Sequence, residues 1–432
     1  MQTSRRTFVH GLAAAGVAFP AFREDAFARL FRANTLAGSR TAPAVAEDEL
    51  YWAEIQRAFD ADRTMINLNN GGISPTPSHV LEQMIRDLRF TNELPVEHMW
   101  RILEPRMAST RRELAKEFGC APEEMAIVRN ASEALEIMIY GIDLKRGDEV
   151  VVSNQNYGRM ITTWQQRERR EGIVLKQVSF KVPPPSAEYI VEQFRAAITP
   201  RTRVIEVTHI TNLTGLIMPV REIMQLAKPL GIEVFVDGAH AFGHWPMKRD
   251  DLLVDYYGTS LHKWLHAPIG AGFLYVREAK IPRLWPLMAA AESQANDIRK
   301  YEEIGTHPQA NFNAVSAALA FSQGMGLDRK IARLRYLRDR WAKRLLAESD
   351  RVRVLTELGP DKSGAICLFN VDGLDPVKLG GWLLSRHRIV NTPIVHPEFS
   401  GIRITPSVYT SINEIDTFTD AVLKAIKTGI AS

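Results

Sequence analysis

The chain has 432 residues, of which 45% are apolar and 24% charged, a size and composition that fit a soluble globular protein with one large domain and a smaller one. Its formal net charge of +4 is dispersed without a run of five basic residues, which argues against a nucleic-acid surface. Two cysteines, Cys120 and Cys367, allow at most one bridge and read as isolated thiols, and no apolar stretch reaches the roughly 18 residues that a membrane helix needs.

Along the chain, Ser4-Arg5-Arg6-Thr7-Phe8 comes first, followed by a mildly apolar run from Gly11 to Phe22 that is rich in alanine and glycine. Paired arginines before a weakly hydrophobic segment and a small-residue site resemble a twin-arginine export signal. The expected signal peptide covers residues 1–28, with cleavage after Ala26-Phe27-Ala28 or later at Ala44-Val45-Ala46. That route carries proteins already folded around a cofactor, so the mature protein is expected in the periplasm. Residues 29–67 read as a linker and N-terminal segment.

Helical spacing of Val80, Leu81, Met84, Ile85 and Leu88 predicts a helix over residues 78–90. Short apolar runs then follow at Ala126–Val128, Val150–Val152, Ile173–Val178, Val204–Val207, Val234–Val236 and Gly272–Val276, with helical patterns such as Glu188–Ile198 and Val220–Leu230 between them. Strands alternating with helices predict an α/β domain over residues 68–311, built on a mostly parallel sheet. From Phe312 a long helix and shorter strands at Ile366–Asn370 and Ile402–Thr405 predict a smaller α+β domain over residues 312–432. In such a sheet ligands gather at the carboxyl ends of the strands.

One strand ends in Val236-Asp237-Gly238-Ala239-His240, and Thr259-Ser260-Leu261-His262-Lys263-Trp264 follows, with Lys263 26 residues beyond Asp237. A fixed carboxylate beside a pyridine nitrogen keeps it protonated, as the electron sink of pyridoxal 5′-phosphate (PLP) requires. A lysine amine forms a Schiff base with that cofactor and later moves protons on the substrate carbon. Asp237 and Lys263 are the candidates for these tasks, with Ser260 and His262 placed to meet a phosphate.

Asp-Gly-Ala-His-Ala-Phe-Gly at 237–243 and Ser-Leu-His-Lys-Trp at 260–264 resemble the class-V aminotransferases, a family that includes cysteine desulfurases and isopenicillin-N epimerases. The likeness runs from Leu68 to about Ile415. It implies the PLP-dependent fold type I (the aspartate-aminotransferase fold) and a homodimer with active sites at the interface. Residue by residue, it implies phosphate contacts at Ala131 and Ser132, at the start of a helix. Tyr157 is implied to stack on the pyridine ring, and Asn212 to approach the phenolic oxygen. His240 joins Lys263 and Asp237 as a catalytic residue. Thr306, after Gly305, is implied to reach the phosphate of a neighbouring subunit. Arg403, in Gly401-Ile402-Arg403-Ile404-Thr405-Pro406, matches the arginine that binds a substrate carboxylate with two prongs, which lysine cannot do.

The desulfurase branch needs a nucleophilic cysteine shortly before that arginine, and residues 386–402 contain none. His240 and Tyr157 lean towards the isopenicillin-N-epimerase-like branch, which includes exported enzymes that tailor the siderophore pyoverdine, and also carbon–sulfur lyases. The expected activity is that of an exported aminotransferase or tailoring enzyme acting on a small-molecule amine. Epimerisation and β-elimination share its first steps and stay open, and an exported protein that binds PLP without turnover is the alternative from another class. No metal, no nucleic acid and no stable membrane insertion are expected.

Overall fold

The computed structural model describes residues 25–430. The chain opens with α1 (Ala26–Ala37), α2 (Ala42–Ala46), α3 (Glu49–Gln56), β1 (Ile66–Asn67), α4 (Ser78–Glu93) and α5 (Glu104–Phe118). The α/β layer then runs β2 (Met125–Val128), α6 (Ala131–Gly141), β3 (Glu149–Ser153), α7 (Gly158–Glu171), β4 (Val174–Val178), α8 (Ala187–Ala197) and β5 (Thr202–Thr208). It continues through α9 (Val220–Ala227), β6 (Glu233–Asp237), α10 (Arg249–Leu252), β7 (Tyr256–Ser260) and β8 (Gly272–Val276). The remainder is α11 (Gln309–Met325), α12 (Leu327–Glu348), β9 (Val352–Val354), β10 (Cys367–Val371), α13 (Pro376–His387), β11 (Ile389–Val390), β12 (Thr392–Val395), β13 (Ser400–Ile404) and α14 (Ile412–Thr428).

Seven strands form one sheet in the order β2-β8-β7-β6-β5-β3-β4, parallel except for β8, which is antiparallel to both neighbours. Its central strands are buried from end to end because helices cover both faces, which is why they read as continuous apolar runs. Val150, Val152, Val204 and Phe235 point into the core shared with α6, while Val151, Ile205, Val234 and Val236 point into the opposite one. The sequence does not announce β7, a strand of two tyrosines, a glycine, a threonine and a serine. It pairs with both β6 and β8, and Gly258 lets α6 approach, since a Cβ there would lie 2.8 Å from that of Ala134.

The second sheet, β12-β13-β10-β9, is antiparallel and packs on α12, α13 and α14. The single long helix expected after Phe312 is two, divided at Gly326, whose φ of 86° suits glycine. β1 pairs with β11, so the chain just before the large domain is stitched to the small one.

The linker expected at the start of the 29–67 segment is corrected. Its first half folds as α1, α2 and α3, with Ala26, Leu30, Ala33, Ala37, Val45, Tyr51, Trp52 and Ile55 in a core against Phe321, Met325 and Leu334. The 4-3-4 spacing of small residues in α1 carries little hydrophobicity, so it resembles a leader more than a packed helix. Both small-residue cleavage candidates fall within helices that pack on this core by one face: Ala26 is fully buried while Ala28 and Ala44 are exposed, and the carbonyls of Val45 and Ala46 accept from Trp52 Nε1 and Arg333 Nη1. The paired arginines Arg5 and Arg6 lie outside the described residues.

Candidate active site

Asp237 ends β6 at the carboxyl edge of the sheet, 3% exposed, with one oxygen accepting the Ala239 N–H at 2.9 Å. The chain turns sharply after it, and Gly238 is required, because a Cβ there would fall 2.0 Å from the Tyr257 ring. Burial raises the Asp237 carboxyl above its ordinary range, against the pull of the Ala239 N–H and of Lys263. On the adjacent strand, Ser260 ends β7 and its Oγ accepts the N–H of Ala131, at the first turn of α6. Asn130 caps that helix by accepting from the Glu133 N–H, which leaves its amino end aimed at the strand ends. Ser132 lies half-buried in the same turn.

Three residues past β7, Lys263 places Nζ 3.2 Å from Nε2 of His240. Burial pulls the Lys263 ammonium down to about 8, Arg403 pushing in the same direction and Asp237 opposing. The amine is thus poised near neutrality as a nucleophile and as a base. His240 is 3% exposed and also accepts from Trp264 Nε1 at Nδ1, 3.3 Å away. His262 is held neutral by burial, its pKa falling to about 4, and its Nδ1 is buried without a partner.

Arg403 enters from β13 of the small domain, 6% exposed. Its Nη1 donates to the Asn212 carbonyl at 2.8 Å, and its Nη2 to Asn69 Oδ1 at 2.6 Å and Thr392 Oγ1 at 3.3 Å. Every one of these partners is neutral, Nε has no partner, and burial lowers the guanidinium to about 10. Asn212 keeps a buried Oδ1 free as well. Tyr157 caps α7 at the end of β3 and is 37% exposed, open to a ligand.

Bonds or charges link Asp237, Lys263, His240, Arg403 and Asn212, and Ser260 and Ala131 form a bonded pair of their own at the adjacent strand end. Ser132 and Tyr157 share no hydrogen bond with them, and neither does Thr306, which is exposed on the segment before α11. Sequence reasoning missed several supporting residues. Asn69 and Thr392 hold Arg403; Thr392 lies 11 residues before it on β12, but Asn69 is 334 positions away and carries no sequence signal for the contact. Glu206 is fully buried on β5, accepting from Trp164 Nε1 and Asn156 Nδ2 next to Tyr157. Burial raises its carboxyl to about 7, and Asp237 adds to the rise.

These groups fit PLP. A lysine amine, a buried carboxylate and a helix amino end meet at one strand edge, and His262 Nδ1 and Asn212 Oδ1 are buried there without partners. Among the described residues, no cluster of histidine, cysteine and carboxylate side chains could hold a metal.

The chain is 29% identical to the isopenicillin N epimerase of Streptomyces clavuligerus over 86% of its length and 97% of that protein. It is 24% identical to a cysteine desulfurase of Haloferax volcanii, over 84% and 90%. In fold it matches a C-DES mutant carrying glycine covalently linked to its PLP cofactor, with a TM-score of 0.74, 22% identity and coverage of 84% and 98%. That likeness bears out the PLP-dependent fold type I, a large mostly parallel sheet with a smaller antiparallel domain. Residues 66–392 match aminotransferase class-V, and the chain therefore belongs to the class-V aminotransferase family, whose cofactor is pyridoxal phosphate.

Proposed function

We propose that this protein is an exported PLP enzyme that acts on the amine of an amino acid or peptide-derived metabolite, with Lys263 as the residue that carries the cofactor. The observation that carries the reading is Arg403, a buried guanidinium among neutral oxygens with an unpartnered Nε. A buried cation without a counter-charge is costly in the free protein. A carboxylate beside the reacting amine supplies that counter-charge, and a guanidinium grips it with two prongs.

When bound, the cofactor supplies an electron sink for the bond broken at the substrate carbon. Asp237 is the carboxylate that keeps the sink protonated. Lys263, its amine lowered to about 8, is the base that would take the Cα proton, and the exposed Tyr157 is the ring that would cover the cofactor. The amino end of α6, with Ala131, Ser132, Ser260 and His262, would hold the phosphate, and Thr306 of a second copy would complete it in a homodimer.

Where a proton is delivered next would decide the product: away from Cα for transamination, to the face of Cα opposite Lys263 and from another acid for epimerisation, or to a departing β-substituent for elimination. Transamination or tailoring of a periplasmic metabolite, of the kind that pyoverdine maturation requires, is the first reading. Epimerisation is the second, favoured by the likeness to the Streptomyces clavuligerus epimerase. Persulfide transfer is disfavoured, because Cys367 is buried within β10 and burial pushes both thiols up to about 12. Incubating the holoenzyme with amino acids and peptide amines, and assaying keto acid, racemate and ammonia, distinguishes the reactions. An absence of all three across carboxylate-bearing amines would return the protein to a binding role.

A further inference from the structure

His240 stands between two side chains that decide where its proton sits. Trp264 Nε1 lies 3.3 Å from Nδ1, and an indole nitrogen only donates. Nδ1 is therefore the acceptor, and a neutral ring carries its hydrogen on Nε2. Burial keeps the ring neutral, and the charged or titratable groups around it, Lys263, Arg403, His244 and His262, push the same way. Nε2 lies 3.2 Å from Lys263 Nζ, so the histidine turns a hydrogen towards that amine.

Trp264 is itself held by two further contacts. Its indole stacks on His244, centroids 3.8 Å apart and planes 13° from parallel, and its carbonyl accepts from the fully buried Lys330. His244 has a fixed tautomer too. Its Nε2 accepts the Ala365 N–H at 2.8 Å, so Nδ1 donates to the His240 carbonyl, also at 2.8 Å. One histidine thus anchors the main chain of the other and serves as the platform for the indole. Trp264 and His244 are fully buried, so water does not compete for these bonds.

We propose that Trp264 is a positioning residue whose indole N–H locks His240 in the Nε2–H tautomer, so that His240 presents a hydrogen and never a lone pair to Lys263. The inference rests on Lys263 being the reacting amine. A proton taken by Nζ from the substrate carbon then finds no acceptor in His240. It stays on the lysine, available for return.

The test uses apoprotein labelled with 15N-histidine, whose ring nitrogen shifts report the tautomer; the His240 signal is the one lost in His240→Gln. The wild type should show Nε2–H. Trp264→Phe keeps a ring over His244 without the N–H and should show mixed tautomers. In that variant the pH at which acetic anhydride labels Lys263, followed by peptide mapping, should rise by about one unit, roughly tenfold in free amine at fixed pH. In a His240→Gln background, Trp264→Phe should add nothing further. Nδ1–H in the wild type overturns the proposal even if Trp264→Phe fails to fold. An unchanged tautomer in the folded variant overturns it, as does an equal Lys263 shift in both backgrounds. None of these readouts involves turnover, so a wrong choice of cofactor lysine would appear separately, as a borohydride label on another residue.

Discussion

Replacing Arg403 by alanine tests substrate recognition most directly. In the free protein its guanidinium bonds to Asn212 O, Asn69 Oδ1 and Thr392 Oγ1, all uncharged. A bound carboxylate supplies the missing counter-ion in a site that is 6% exposed at the arginine, where solvent screens little. Without the guanidinium, that carboxylate sits buried against groups that cannot neutralise it, at a cost of roughly 3–4 kcal/mol. At 1.4 kcal/mol per decade, kcat/KM should fall by about 10²–10³. Arg403→Lys should recover little, because one ammonium cannot satisfy Asn212 and Asn69 and still grip two carboxylate oxygens. The decisive assay compares an accepted amino acid with its carboxamide. Wild type should prefer the acid by about 10²–10³, and Arg403→Ala should reduce that preference to within about threefold, with cofactor absorbance retained. If the alanine variant still discriminates acid from amide, the carboxylate reading is wrong and the reacting amine belongs to a side chain or the end of a larger metabolite.

Borohydride reduction of the holoenzyme should leave the cofactor label on Lys263 alone, and Lys263→Ala should abolish it; a label elsewhere overturns the assignment. Since only the free amine attacks an aldehyde and Lys263 titrates near about 8, cofactor uptake by apoprotein should slow about tenfold per unit below pH 7 and level off above pH 9. A rate that keeps climbing to pH 10.5 would contradict the lowered value. Glu206 has a folded pKa of about 7, above its unfolded value, so its contribution to stability is present at low pH and lost as pH rises through 7. Glu206→Gln should therefore gain on wild type in thermal melts between pH 5 and pH 8, and a constant gap would refute this. A chain beginning at Asp48 loses α1 and α2, uncovers their core and leaves buried Trp52 Nε1 without its acceptor, while Arg333 keeps Glu49; this should cost on the order of 5 kcal/mol in urea unfolding. Changing Arg5 and Arg6 to lysine should hold the protein in the cytosol, and unchanged periplasmic recovery would reject twin-arginine export.

The sequence by itself determined the alternation of elements, because strands covered on both faces must be apolar throughout. β3, β5, β6 and β8 were legible for that reason, Asp237 was legible as a carboxylate ending a strand, and Lys263 through the Ser260-Leu261-His262-Lys263 segment that follows it. β7 was not, since its small and hydroxylic residues are strand formers only between β6 and β8, with Gly258 cleared for α6. α1 was not either: its alanine stripe has too little hydrophobicity to show a period, and it gains meaning only against Phe321 and Met325. The supporting residues of the site were invisible for a deeper reason. Asn69 meets Arg403 across 334 positions, and His244 meets Ala365 across 121. Local propensity carries no information at that range, and only the docking of the small domain on the large one brings those partners within hydrogen-bond reach. Tertiary structure alone also set the charges, because how far burial lowers Lys263 and Arg403 depends on what covers them.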